Sequence, residues 1–311
     1  MTLDGVVLVD KPEGMTSFAV DISMRKIADT KKVGHLGTLD PFATGMLPVF
    51  CGKGLKYMRF CEGWDKSYNC RALFGKTTDT MDITGETVAE NYPSEDVMLD
   101  LERTDYKAVR DAFETVRQTE EQIPPKYSAK KINGRRACDL AREGVEVELK
   151  STKVKIYSID INSIERQPEG FIVDFDVRCS KGTYIRTICD DAGRLTGFGA
   201  CAVTLRRTAV GPYSISDART PDELRALKEE GDMSFLLSAE DALSDMPLLE
   251  MTSRQAGDLR FGKKIPCDLK AEQGTRTYYR ACREGKLIAV VYPAEENGKT
   301  ILRIERLFDH D

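Results

Sequence analysis

Histidine is nearly missing: among 311 residues only His35 and His310 carry an imidazole. A histidine-based metal site or a Ser-His-Asp triad therefore has almost no material to draw on, and His310 is the penultimate residue, on a tail expected to fray. Nine cysteines are present, but no two are spaced C-x-x-C, so a zinc knuckle or a thioredoxin-type redox motif is not expected. Their odd number argues against a closed disulfide framework, and the apolar surroundings of most of them suit small buried hydrophobes. Long apolar runs are lacking as well: none approaches the ~18 residues that a spanning helix needs. The start, MTLDGVVLVDKP, has no basic stretch ahead of an apolar core, so the expected compartment is the cytoplasm, with no membrane contact. A positive excess is also absent. The net charge of −5 disfavours a polyanionic partner until its distribution is considered.

What is present is ordinary in bulk: 31% charged and 41% hydrophobic residues, in a chain long enough for more than one domain. The charge is unevenly spread. Residues 217–246 carry nine acids against three bases. Residues 126–142 carry six bases (Lys126, Lys130, Lys131, Arg135, Arg136 and Arg142) against Asp139 alone, a local patch that a polyanion could use.

Periodicity gives an outline. Val6–Val9 reads as a buried strand, and Ser17 is placed to cap a helix running to about Ala28 with Phe18, Ile22 and Ile27 near one face. KSYNCRALFG (66–75) alternates as a half-buried strand, and FIVDFDVRC (171–179) is the clearest strand. Residues from about 105 to 119 read as a helix, as does TYIRTICDDAGRL, with Thr183 as its cap. Composition shifts near Met246–Pro247, and the last ~65 residues hold short β-like runs separated by turn signals, which predicts a small, separate, mostly β module.

Two motif matches carry no chemistry. GFGACA (197–202) fits G-x-G-x-x-A, but a predicted helix precedes it where a dinucleotide fold needs a strand. CGKG lacks the glycine that a phosphate-binding P-loop requires, because Leu47 stands there. The remaining candidate is GHLGTLDPFATG (34–45). Its glycines could cradle phosphate, yet Asp40 would repel it, and Asp-Pro is also a common turn pair.

Asp40 does not stand alone. GHLGTLDPFATGMLP (34–48), KSY (66–68), GKTTDTMDITGE (75–86), QIPPKYSAKKINGRRACDLAREG (122–144) and RCSKGTYIRTICDDAG (178–193), with DKPEGMTS (10–17) and LRRTAVGPYSI (205–215), occur in this order. In these segments, over residues ~5–245, the chain closely resembles the bacterial tRNA pseudouridine-55 synthases, the TruB family. The resemblance implies an α+β pseudouridine synthase fold, a mixed and largely antiparallel central sheet with flanking helices. Residues 1–245 would form the catalytic domain, with a basic RNA-clamping insertion at about 122–143, and 246–311 a PUA-like RNA-binding module.

The resemblance also implies a chemistry. The uracil N1–C1′ bond breaks, the base turns, and it rejoins through C5, with no metal or cofactor. Asp40 would be the nucleophile, kept ionised and oriented by Arg186. Tyr68 would stack on the base and take part in proton abstraction, Tyr184 would pack against the flipped base, and Leu205 would wall the pocket. His35 would fill the gap left by the flipped uridine. Lys130, Lys131, Arg135 and Arg136 would contact phosphates, with Lys11 and Lys56 as weaker candidates for the same surface. Leu36 stands where a threonine is common in the family, which puts a local hydroxyl contact in doubt. The implied partner is the T-arm of tRNA, bound by a monomer without an obligatory protein partner. Two alternatives stay open: a non-catalytic RNA-binding or tRNA-chaperone protein of the same fold, and a guide-dependent enzyme acting on ribosomal RNA.

Overall fold

A computed structural model of the chain describes residues 2–128, 130–132, 134–145, 149–271 and 276–308. His310 and the side chains of Lys131, Arg136 and Arg142 lie outside the described set. The framework is a nine-stranded sheet. Its main strands are β1 (Gly5–Lys11), β2 (Val33–His35), β3 (Thr44–Cys51), β4 (Lys66–Phe74), β5 (Ile156–Arg166), β6 (Phe171–Cys179) and β7 (Ala200–Val210). They lie in the order β5-β6-β4-β7-β3-β1, with β2 paired to β3. Every pairing among them is antiparallel except β7 with β3, where Arg206 faces Thr44 and Arg207 faces Gly45.

That parallel junction is tight. Gly45 sits at φ +105°, and a Cβ there would stand 2.3 Å from the backbone oxygen of Arg207. Only glycine lets β3 approach β7 this closely. The sheet is covered on both faces. Helices α2 (Lys107–Arg117) and α3 (Ile185–Thr196) bury Phe113 and Ile188 against Phe74, Phe171 and Phe175. Helix α1 (Ser17–Ile27) buries Val20, Met24 and Ile27 against Val7, Val9, Leu47 and Val49. The continuous run Val6–Val9 follows from this: Val7 and Val9 face α1, while Val6 and Leu8 face another buried cluster.

The α1 face differs from the expected one. Phe18 and Ile22 are exposed, at 58% and 43%. The cap is Thr16, whose hydroxyl accepts the Ala19 N–H, one residue before the expected Ser17. Ser17 is instead buried and bonds to Leu39 in both directions. Similarly, α3 is capped by the Tyr184 backbone, not Thr183, whose hydroxyl donates to Ser180 O. GFGACA is the turn between the end of α3 and the start of β7, as the preceding helix predicted. Sequence periodicity missed β5 and most of β7, because their alternation is blurred: both faces of β7 carry charged or polar residues.

A second, five-stranded sheet is built from Leu248–Glu250, Ile265–Pro266, Tyr279–Arg283, Lys286–Glu296 and Lys299–Leu307. It is not held by a linker alone. Cys282, Leu287, Val290 and Phe308 share one buried cluster with Val6, Leu8, Phe50, Tyr57 and Trp64, so the two sheets are joined through apolar packing. Each such side chain contributes about 1.5–3 kcal/mol when fully buried. Leu36 belongs to this cluster. Seven of the eight described cysteines are buried and none of the eight forms a disulfide. Among the described residues no helix is long and apolar enough to cross a membrane.

Candidate active site

The buried face of β4 changes character along its length. Phe74, Ala72 and Cys70 enter the core, and then Tyr68 and Lys66, on the same face, reach the wall of a cavity of about 650 Å³. The loop 36–40 between β2 and β3, Leu205 and Arg207 of β7, Ile185 and Arg186 at the start of α3, and the segments around Ser128 and Lys153 complete the wall. The single alternating strand therefore supplies both core and site.

Asp40 lies in that loop, its side chain one-third exposed to the cavity. Arg186, 3% exposed, grips it with two nitrogens: Nε is 2.9 Å from Oδ2, and Nη2 donates to Oδ1 at 3.2 Å. The remaining guanidinium capacity is used as well. Nη1 donates to Thr80 O at 2.7 Å and to Asp82 Oδ2 at 3.3 Å, and Nη2 donates to Tyr127 O at 2.9 Å. A planar fork held at both ends in this way has little freedom left.

The second anchor, Asp82, was not singled out from the sequence. Its Oδ1 accepts the Thr84 N–H, the Thr84 hydroxyl and the Thr80 hydroxyl, so the carboxylate is fixed by its own loop. The loop docks on β7, with Ile83 N donating to Ala202 O at 2.8 Å. The signal was the spacing T-x-D-x-T inside TTDTMDITGE, in which two hydroxyls flank one acid.

Burial pushes the Asp40 carboxyl above the usual aspartate range, the Asp82 charge adds to this, and Arg186 pulls it back without fully compensating. The cation is where the sequence reading put it, but its net outcome differs from the simple lowering expected. Tyr68 is 7% exposed, and burial raises its phenol too, opposed by the positive charge of the nearby Arg207 guanidinium. Arg207 is itself 1% exposed and fixed by Met46 O at 2.6 Å and Gly37 O at 2.9 Å. Lys66 beside it donates to Trp64 O, and burial lowers its ammonium to about 8.

The loop carrying Asp40 is clamped from behind. Lys11 is fully buried, and its Nζ donates to Pro12 O, Met15 O and Pro41 O, while Gly14 N donates to Pro41 O. Lys11 is therefore not on an RNA-facing surface, which corrects the sequence expectation. From the sequence Lys11 is a candidate phosphate contact, whereas the tertiary structure uses it as a three-way bridge between two loops. Its burial lowers the ammonium to about 8.

Tyr184 is half-buried at the cavity, with its N–H donated to Gln122 Oε1 at 2.9 Å, and burial raises its phenol. Leu205 lines the wall. His35 stands just outside the wall on β2, its Nδ1 2.9 Å from Asp21 Oδ2 and its Nε2 3.2 Å from Thr38 Oγ1. Thr38 thus supplies a hydroxyl next to the position where Leu36 lacks one. Lys130 lines the cavity and donates to Lys150 O. Arg135 is exposed and paired with Glu143 at 2.5 Å. Lys56 is exposed on the short helix Gly52–Lys56 and does not line the cavity. Among the described lining residues six are cationic (Lys66, Lys130, Lys153, Lys181, Arg186 and Arg207) and two acidic (Asp40 and Glu62), so an electropositive cleft opens in a chain of negative net charge. Lys153, Lys181 and Gln122 were not anticipated from the sequence.

Residues 25–185 match the family model described as TruB family pseudouridylate synthase (N terminal domain), and residues 186–244 match tRNA pseudouridylate synthase B C-terminal domain. The chain belongs to the TruB family. The tRNA pseudouridine synthase B of Syntrophotalea carbinolica is 37% identical over 279 residues, covering 88% of this chain and 87% of that protein. The enzyme of the same name from Geobacter sulfurreducens is 35% identical over 295 residues, covering 93% of each. Among solved structures, a Cbf5-Nop10-Gar1 complex contains a chain that superposes with a TM-score of 0.68 at 22% identity, over 97% of this chain and 84% of that one. An H/ACA RNP bound to a substrate RNA containing 2'-deoxyuridine gives a TM-score of 0.67 at 21% identity, over 98% of this chain and 85% of that one. These establish the pseudouridine synthase fold for the TruB family member described here.

Proposed function

We propose that the chain isomerises the uridine at position 55, in the T-loop of tRNA, to pseudouridine, with Asp40 as nucleophile. The observation that carries this reading is the Asp40 carboxylate gripped by the Nε and Nη2 nitrogens of Arg186 at a cavity walled by Tyr68, Tyr184 and Leu205 among others. The family membership and relatives named tRNA pseudouridine synthase B support it.

A uridine inside a folded T-loop must leave its stack before Asp40 can reach it, at a cost of a few kcal/mol that stacking in the pocket offsets. Tyr68 and Tyr184 offer aromatic faces and Leu205 an apolar edge for the base. Asp40 bonds covalently to the nucleotide while the N1–C1′ bond is broken. The base then turns, C5 bonds to C1′, the bond to Asp40 is released, the C5 proton is lost and N1 gains a proton, so the product is an isomer of the substrate and the carboxylate is regenerated. The Tyr68 oxygen is the candidate acceptor at C5. The Arg207 cation against it offsets the charge that an accepting phenolate would carry. His35 contacts the RNA beside the flipped nucleotide. Lys130, Lys131, Arg135 and Arg136 meet phosphates, with Lys153 and Lys181 added at the cavity rim. Arg135 exchanges its surface pair with Glu143 for a phosphate at little cost, since exposed pairs are worth about 0.2–1 kcal/mol. The chain acts as a cytoplasmic monomer without cofactor or obligatory protein partner, and residues 246–311 serve as a PUA-like RNA-binding module appended to the catalytic domain, residues 1–245.

The test is incubation of the purified chain alone with an unmodified tRNA transcript, followed by mapping of pseudouridine. One T-loop product is expected, with Asp40→Ala inactive yet still able to bind. No product from the parent, or undiminished product from Asp40→Ala, would refute this mechanism. Product that appears only when a guide RNA is added would favour the guide-dependent alternative.

A further inference from the structure

Asp21 stands on the buried side of α1, beside Val20 and Met24, where helical periodicity calls for an apolar residue. It is 5% exposed. Its Oδ2 lies 2.9 Å from Nδ1 of His35, and its Oδ1 is buried with no hydrogen-bond partner among the described residues. Burying a carboxylate with one oxygen unpartnered is costly, and the packing of α1 gains nothing from it. The cost is explained if the carboxylate acts on the imidazole.

We propose that Asp21 is a positioning residue: it holds His35 as the Nδ1–H tautomer and fixes the ring, so that the Nε2 lone pair points to the lip of the cavity as a hydrogen-bond acceptor. The geometry around Nε2 fits this. Thr38 Oγ1 is 3.2 Å away, and its hydroxyl can donate to that lone pair. Thr38 itself lines the cavity, so the threonine is placed to release Nε2 when RNA enters. An acceptor at this point selects a donor from the RNA, a base amino or imino group or a ribose 2′-hydroxyl, and not a phosphate oxygen. The same arrangement, a carboxylate behind a working imidazole, sets tautomer and orientation wherever histidine acts. This inference rests on the reading of His35 as an RNA contact.

The chain has only two histidines, so its imidazole nitrogens can be read directly. Nitrogen-15 NMR of the free protein at about pH 8, with His310→Gln to assign the remaining ring, is expected to show His35 as the Nδ1–H tautomer; any other form overturns the proposal. This measurement needs no substrate, so it fails or succeeds independently of the proposed function. With tRNA, Asp21→Leu is expected to raise KM roughly fivefold to tenfold, about the effect of one misplaced hydrogen bond, with kcat within about twofold. Asp21→Asn keeps an acceptor for the Nδ1 proton and is expected to stay within about twofold in both. In a His35→Ala background, Asp21→Leu should add nothing. An unchanged KM in Asp21→Leu, or an equal rise without His35, overturns the proposal. If Asp21→Leu does not fold, the tautomer still decides.

Discussion

Asp82 offers the sharpest test of how the site is organised. Its Oδ2 receives Nη1 of Arg186 at 3.3 Å, while its Oδ1 is held by Thr80 and Thr84. Replacing it with asparagine keeps the volume and retains an oxygen for the Thr84 contacts. The amide nitrogen then faces Nη1, a donor against a donor, and the negative charge is gone. At an effective dielectric of about 20, two unit charges at this separation attract by roughly 5 kcal/mol gross. Desolvation and relaxation return much of that, and removing one partner of a buried pair costs about 3–5 kcal/mol. If the guanidinium shifts and about 3–4 kcal/mol of this is lost at the reacting centre, kcat falls roughly 100- to 1,000-fold. Binding of tRNA should change less than about threefold, because Asp82 is buried behind Arg186 and does not line the cavity. The assay is single-turnover pseudouridine formation at saturating enzyme, paired with filter binding and with a thermal melt to show that the variant is folded. A folded Asp82→Asn enzyme with kcat within about threefold of the parent would refute the argument that Arg186 needs both carboxylates.

Three further outcomes follow from the same geometry. In Arg186→Lys the two-nitrogen grip that draws the Asp40 carboxyl downward is lost, so Asp40 protonates at higher pH and the acid limb of kcat/KM, which reports the free enzyme, moves upward in pH; an unmoved limb argues against Asp40 as the ionised group. Tyr68→Phe keeps the ring and loses the oxygen, so tRNA affinity should hold within about threefold while kcat falls roughly 100-fold or more; a retained kcat would exclude a proton-transfer role for Tyr68. Lys11→Met should lower stability and kcat yet leave the salt dependence of tRNA binding unchanged, because the amine bridges three carbonyls and reaches no phosphate. The Lys11 ammonium titrates at about 8 when folded, against about 10.4 when unfolded, so the unfolded chain binds more protons in that window and the parent gains stability as pH rises through it. That part of the slope should vanish in Lys11→Met, as read by denaturant melts between those pH values.

The sequence by itself determined the elements whose patterns are strongly periodic and the motifs whose residues act together. The alternation in 66–75 and 171–179 fixed β4 and β6, because a half-buried strand must alternate. The segments holding Asp40, Tyr68, Tyr184, Arg186 and Leu205 were legible as one constellation only through their resemblance to the TruB family, and all five line one cavity. What only the tertiary structure decided is how charges are used. A lysine or an aspartate reads as solvated in a string of letters, since most are. Whether Lys11 bridges two loops, whether Asp82 anchors Arg186, and whether Asp21 faces His35 depend on which chain segments close over them, and no local pattern records that. The buried face of α1 is the same lesson in apolar terms. The buried stripe runs through Val20, Asp21, Met24 and Ile27, so Asp21 turns in while Phe18, about half a turn round the helix from Ile27, and Ile22 turn out to solvent.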